Sequence, residues 1–162
     1  MIVDERIITF INSLDTKNSE ILEDIEREAL ADNVPIIRRE MQSFLKVLLM
    51  VKKPMRVLEV GTAVGFSALL MSEYVPEECA ITTIENYEKR IPIARQNFVR
   101  AGKEKKITLL EGDAMDVLKT LEGPYDFILW MRRKVSTFII CRRYCVCLQR
   151  AVSLSRICDA GR

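Results

Sequence analysis

Residues 57–67 read Val-Leu-Glu-Val-Gly-Thr-Ala-Val-Gly-Phe-Ser, and no other stretch restricts the fold of this chain so tightly. Val57 to Val60 have the pattern of a buried strand, with one carboxylate, Glu59, near its end. Gly61 and Gly65 then open a turn into a helix that starts near Phe66. Glycine at such a junction lets the backbone come close to a ligand, and the free N–H groups of the helix N-terminus favour an anionic group there. The spacing is G-x-x-x-G behind an acid, not the G-x-G-x-x-G of dinucleotide folds.

Strands are predicted at 55–60, 80–85, 106–111 and 125–129, alternating with helices at 66–75, 87–101 and 114–121. Pro92 falls in the first turns of its helix, where a missing N–H is tolerated, and Gly102 suits the helix stop. Asp113 can cap the next helix, and Gly123-Pro124 is a turn. Such alternation implies an α/β fold with a parallel sheet wrapped by helices. Ligand then sits above the carboxyl ends of the strands, where Glu59, Glu85 and Asp113 fall. Upstream, residues 2–14 and 19–31 carry apolar side chains at helical spacing, with Ser19 as a cap for the second. Met41, Phe44, Leu45, Leu48 and Leu49 make a third helical stripe, read mainly as core, with Met41 and Phe44 within reach of a cofactor. A chain of 162 residues, 49% of them apolar, suits one globular domain. No apolar run reaches membrane-spanning length and the N-terminus lacks a basic region followed by an apolar block, so no membrane partner and a cytoplasmic location are expected.

Glu85 ends the second apolar run, where a carboxylate can accept both hydroxyls of a ribose. With the glycine turn it suggests a pocket for S-adenosylmethionine. Five segments extend the pattern: Glu59-Val-Gly-Thr-Ala-Val-Gly-Phe-Ser67, Thr83-Ile-Glu85, Glu111-Gly-Asp-Ala114, Val34-Pro-Ile-Ile37 and Tyr125-Asp-Phe-Ile128. Together, over roughly residues 1–129, they resemble the bacterial branch of the catechol and caffeoyl-CoA type O-methyltransferases. The resemblance implies a Rossmann-like class I methyltransferase domain, helical over 1–53 and βα over 54–129. It implies that Gly61 and Thr62 pass beneath the cofactor and that Ser67 hydrogen-bonds its amino-acid carboxylate. Glu85 would hold the ribose, Asp113 and Ala114 would line the adenine, and Ile37 would close over the amino-acid end through its backbone. Glu59 would orient the pocket. Without the resemblance, Ser67 and Asp113 read as helix caps, Glu85 as a surface charge, and the whole as a generic βαβ unit. Such enzymes act on small hydroxylated acceptors of the catechol kind or on hydroxylated wobble uridine in tRNA, and are often homodimers. The Val34–Ile37 region and the bacterial style of the motifs tilt the expectation towards tRNA.

The same resemblance implies a divalent cation such as Mg²⁺ that binds the acceptor's oxygens. In the family its ligands are an Asp in a Met-Asp-Ala-Ala-Lys-Gly segment after the fourth strand and an Asp-Asn pair after the fifth. Here the fourth strand runs into Trp130-Met-Arg-Arg-Lys134, no carboxylate occurs between Asp126 and Asp159, and the chain has no His. No catalytic or metal-ligating residue is assigned, and the sheet is expected to be truncated after its fourth strand.

Composition breaks at the same place. From Met131 onward the chain holds eight of the 25 Lys and Arg and one of the 23 Asp and Glu, which leaves 17 against 22 before it, a net of −5. Four of the five cysteines, Cys141, Cys145, Cys147 and Cys158, also lie there, without paired C-x-x-C spacing. The genetic code gives a reason. Trp130 and Met131 have one codon each, TGG and ATG, and read one base earlier those six bases contain GAT, an Asp codon. Continued out of register with synonymous third bases, Ile128 to Arg156 can be written FMDAAKGQYIYNLPEVLRLLAAGGVLVSD, which carries the family's metal Asp, an amphipathic helix and a Gly-Gly turn. Residues 130–162 are therefore expected to be a frameshifted read of a longer methyltransferase, with catalysis impaired and the outer edge of the fourth strand bare. Two other readings stand beside it. One is a non-catalytic S-adenosylmethionine-binding remnant. The other is a nucleic-acid binder acting through the basic tail, with Phe138 and Tyr144 among its arginines.

Overall fold

The structure, a computed structural model, describes residues 17–122, 124–132 and 135–140, with the helical backbone of Arg6. The predicted helix over 2–14 otherwise lies outside the described residues, as do Gly123, Tyr144 and the four cysteines of the tail.

Two helices lead into the sheet, α1 (Glu20–Ala31) and α2 (Arg39–Lys52). Their inward stripes, Leu22, Ile25 and Ala29 with Leu45 and Leu49, are buried in one core with the first crossover helix, as the periodicity requires. Phe44 departs from the core expectation, being 53% exposed.

Among the described residues five strands follow: β1 (Arg56–Val60), β2 (Ala80–Glu85), β3 (Ile107–Glu111), β4 (Phe127–Arg132) and β5 (Val135–Ile140), in the sheet order β3-β2-β1-β4-β5. The first four are parallel, joined through α3 (Phe66–Tyr74), α4 (Ile91–Arg100) and α5 (Ala114–Thr120). The strand order reverses beside β1, between β2 on one side and β4 on the other. That switch point opens a crevice at the strands' carboxyl ends. Buried on most of its surface, α3 packs Phe66, Ala68, Leu69, Leu70 and Met71 against the sheet and the two leading helices.

Several local expectations change. Ser19 does not cap α1; its hydroxyl donates to Glu73 of α3 at 2.6 Å, tying the two helices together. The helix expected from residue 87 begins at Ile91, because Asn86 and Tyr87 give their N–H groups to the Glu85 carboxylate and a turn closes from Arg90 to Tyr87. The strand expected to end at 129 continues through Arg132, with Val60 opposite Trp130, so the break in composition falls inside β4. The outer edge of β4 is not bare either. Two residues separate Arg132 from Val135, too few for the dozen or more a parallel crossover needs, so β5 folds back antiparallel along β4 from Arg132–Val135 to Phe127–Ile140. Among the described residues the parallel part of the sheet ends at its fourth strand.

Candidate functional site

The glycine turn after β1 is held from three sides. Gly61 and Thr62 both donate their N–H groups to the Ile84 carbonyl, at 2.9 and 3.2 Å. Gly61 sits at φ +100°, and a Cβ there would lie 2.9 Å from the Met131 carbonyl oxygen, so only glycine lets β1 and β4 converge at this level. At Gly65, with φ +86°, a Cβ would come within 2.5 Å of the Phe98 ring. From α4, the buried Asn97 amide donates to the Val64 carbonyl at 2.9 Å.

Glu85 closes the third side. One oxygen accepts the Ala63 N–H at 2.6 Å, and the other accepts those of Asn86 and Tyr87, both at 3.0 Å. Ala63 itself is left-handed, at φ +50°, and this bond fixes the turn in that conformation. A carboxylate has about four acceptor positions. Three are filled here, which leaves one for a ligand hydroxyl rather than the pair expected from the sequence.

Glu59 anchors a second, deeper cluster. Its two oxygens accept the hydroxyls of Ser67, at 2.5 Å, and Thr83, at 2.6 Å. With the Thr83 hydroxyl donating to Glu59, Thr62 donates in the 2.6 Å contact between the two threonine hydroxyls. All four side chains are buried. Burial pushes the Glu59 carboxyl up to about 7, against the pull of the two hydroxyl bonds and with a smaller push from Glu85.

Above these groups lies a cavity of about 870 Å³, within the ~300–1,000 Å³ of small-molecule pockets. Of the residues singled out in the sequence, Ile37, Gly61, Glu85, Asp113 and Ala114 line it. Thr62, Ser67 and Glu59 lie behind that wall, bonded to one another as described. Asp113 also caps α5, accepting the Met115 N–H at 2.8 Å. Met41 reaches the wall. The sequence did not single out Arg38, Asn86, Arg90 and Met131 as site residues; they complete the lining with Pro35, Ile36, Val60, Ala63, Ile84 and Gly112. Arg90 also lies over the Tyr87 ring at 5.2 Å. No sequence signal separates Arg90 from its charged neighbours Glu88 and Lys89.

Among the described residues, no three His, Cys, Asp or Glu side chains come together as a metal group. Cys79 is buried, and burial raises its thiol to about 11, far from a reactive thiolate. No helix among the described residues is long and apolar enough to cross a membrane.

Comparison with known proteins bears on the family and the fold. The profile of the family described as O-methyltransferase matches residues 12–150. A catechol O-methyltransferase of Niastella koreensis is 32% identical over 89 residues, covering 52% of this chain and 40% of that protein. One from Mycobacterium tuberculosis is 36% identical over 74 residues, covering 45% and 34%. Among solved structures, the SAH-bound methyltransferase PaMTH1 of Podospora anserina matches with a TM-score of 0.71 at 28% identity, over 78% of this chain and 56% of that one. The chain thus spans well under two thirds of the length of these relatives.

Proposed function

The chain belongs to the O-methyltransferase family, and from that premise we propose that its cavity binds S-adenosylmethionine. The adenosine lies over the ends of β2 and β3, against Glu85, Asp113 and Ala114, and the amino-acid end lies over Gly61 and the loop 34–38. One observation carries the reading. Glu85 lines the cavity with its carboxylate locked to the glycine turn and one acceptor position still open. A ribose hydroxyl completes it. The Glu59 cluster behind the wall sets the height of the turn and does not touch the ligand.

The acceptor follows the relatives. By their names, they act on catechol, which shifts the reading from the tRNA wobble uridine to a small hydroxylated aromatic. Transfer by this chain is expected at background. The two carboxylates on the cavity wall, Glu85 and Asp113, are engaged with backbone N–H groups. Residues 130–162, read out of frame, carry none of the family's acceptor-orienting donors before Asp159.

Calorimetry with S-adenosylhomocysteine tests the cofactor reading. The chain should bind it, and Glu85→Ala should weaken binding about 100-fold, since a charge-assisted bond and the anchor of Ala63 go together. Equal affinity in Glu85→Ala removes the ribose role. No binding by the unaltered chain removes the reading.

A further inference from the structure

Behind the loop that roofs the cavity lies a buried polar cluster with no role in the binding described above. Its centre is Gln42 of α2, fully buried. The Gln42 Nε2 group donates to the Ile37 carbonyl oxygen at 3.1 Å and to Glu26 Oε1 of α1 at 3.0 Å. Its Oε1 accepts from Asn18 Nδ2 at 2.8 Å. Glu26 is itself buried, and its second oxygen lies 3.4 Å from Arg39, which also reaches Glu23 at 3.3 Å. One amide therefore joins the approach to α1, α1 itself, α2 and the roof loop.

The loop end of this cluster matters for the cavity. Pro35, Ile36, Ile37 and Arg38 all line it, and Ile37 is 4% exposed. A buried amide is costly unless its groups are bonded, whereas a methionine of similar length would fill the same volume without that requirement. What methionine cannot do is hold the Ile37 carbonyl. Left without a donor, a buried carbonyl must reach water, and the loop has to move outward to bring it there.

We propose that Gln42 is a positioning residue for the cofactor: by fixing the Ile37 carbonyl it holds residues 35–38 in the shape that closes over the cofactor's amino-acid end. This rests on the S-adenosylmethionine reading given above. The ordering of the loop is then completed on folding, and a ligand meets a preformed roof.

The test uses the full chain, titrated with S-adenosylhomocysteine well below its unfolding temperature. Gln42→Met should raise Kd about tenfold, the scale of one buried hydrogen bond, with a less favourable binding entropy as the loop orders on the ligand. It should also speed amide exchange at residues 36–38 in the free protein. Ile25→Val, which trims the core between the same helices, should lower the unfolding midpoint and leave both Kd and loop exchange unchanged. Glu26→Gln keeps an acceptor for Gln42 and should hold Kd within about twofold. Should Gln42→Met fail to fold, Gln42→Leu, smaller and likewise without a donor for the Ile37 carbonyl, should show the same loss. Wild-type affinity in the Gln42 variant overturns the proposal, and so does an equal loss in Ile25→Val. Absence of binding in the unaltered chain overturns the cofactor reading itself.

Discussion

The two halves of the sheet are built differently. On one side of β1, helices α3 and α4 carry the chain to β2 and β3, and each strand delivers part of the cavity wall: Gly61 after β1, Glu85 at the end of β2, and Gly112 to Ala114 after β3. On the other side β4 meets β5 through a two-residue link, and β5 runs antiparallel. A crossover helix places a new loop at the carboxyl end of the sheet; a hairpin only doubles the edge. From β4 the cavity receives Met131, whose carbonyl also presses on Gly61. Among the described residues, the half proposed to take the cofactor therefore carries three crossover loops on the cavity wall, and the other half carries the hairpin.

Restoring the reading frame is the largest test of that asymmetry. Insertion of one T near codons 128–129 should return a chain carrying MDAAKGQY, a Gly-Gly turn and an Ser-Asp pair, with a helix between β4 and a parallel fifth strand. Methyl transfer to a catechol should then rise by about three orders of magnitude or more over this chain, since orientation and charge stabilisation supply most of such a barrier. If the bases downstream of that junction do not spell this frame, residues 130–162 are a native feature and the comparison of halves loses its cause.

The next effect lies wholly in the cofactor half. Burial raises the Glu59 carboxyl from 4.5 to about 7. The folded state then binds the proton more tightly than the unfolded one. Its contribution to stability is full below pH 4.5 and is lost as the pH rises through 7. The linkage amounts to about 3 kcal/mol at most across that window. Glu59→Gln removes the titration, so chemical denaturation should show wild type losing ground to the variant between pH 4.5 and 7. Parallel pH profiles would mean that the Ser67 and Thr83 hydroxyls hold the carboxylate ionised, and that the deep cluster is not the dry anchor described here.

What could be read from the sequence divides along the same line. Strands β1 to β3, the glycine turn and the Asp113 cap were legible because strand-turn-helix signals are local: an apolar run, a glycine, a capping acid. Glu85 was legible as a carboxylate at the end of β2, where it lines the cavity, but its three N–H partners were not, since the bond to Ala63 spans 22 residues and depends on a left-handed Ala63. Ser67 was read from the resemblance as a ligand contact; its hydrogen bond to Glu59, eight residues back on a neighbouring element, carried no sequence signal. Gln42 carried no signal at all; one polar residue in a helical stripe says nothing about a carbonyl that the loop turns towards it. The hairpin of β4 and β5 was missed because the break in charge and cysteine content suggested a boundary at residue 130, where the backbone continues in register.

The smallest expected effect on binding comes from the seam between the halves. At the amino end of β4, Asp126 accepts the N–H groups of Met55 and Arg56 at 2.9 and 3.0 Å, while its own N–H donates to the Arg56 carbonyl at 3.0 Å. These bonds join β4 to β1 at the end of the sheet opposite the cavity. Removing the carboxylate leaves two strand-end donors to water, because the site is only half-buried, so Asp126→Ala should lower unfolding stability by about 1–3 kcal/mol. The carboxyl end of the β1–β4 ladder, Val60 opposite Trp130, does not depend on those bonds. Affinity for S-adenosylhomocysteine should therefore stay within about twofold of wild type, against the far larger loss expected for Glu85→Ala, because substitutions without shared partners act independently. A fall in affinity matching that of Glu85→Ala would show that the position of β4 governs the glycine turn through Met131 and Gly61. In that case the hairpin half would be part of the cofactor site, and the division between the halves would have to be abandoned.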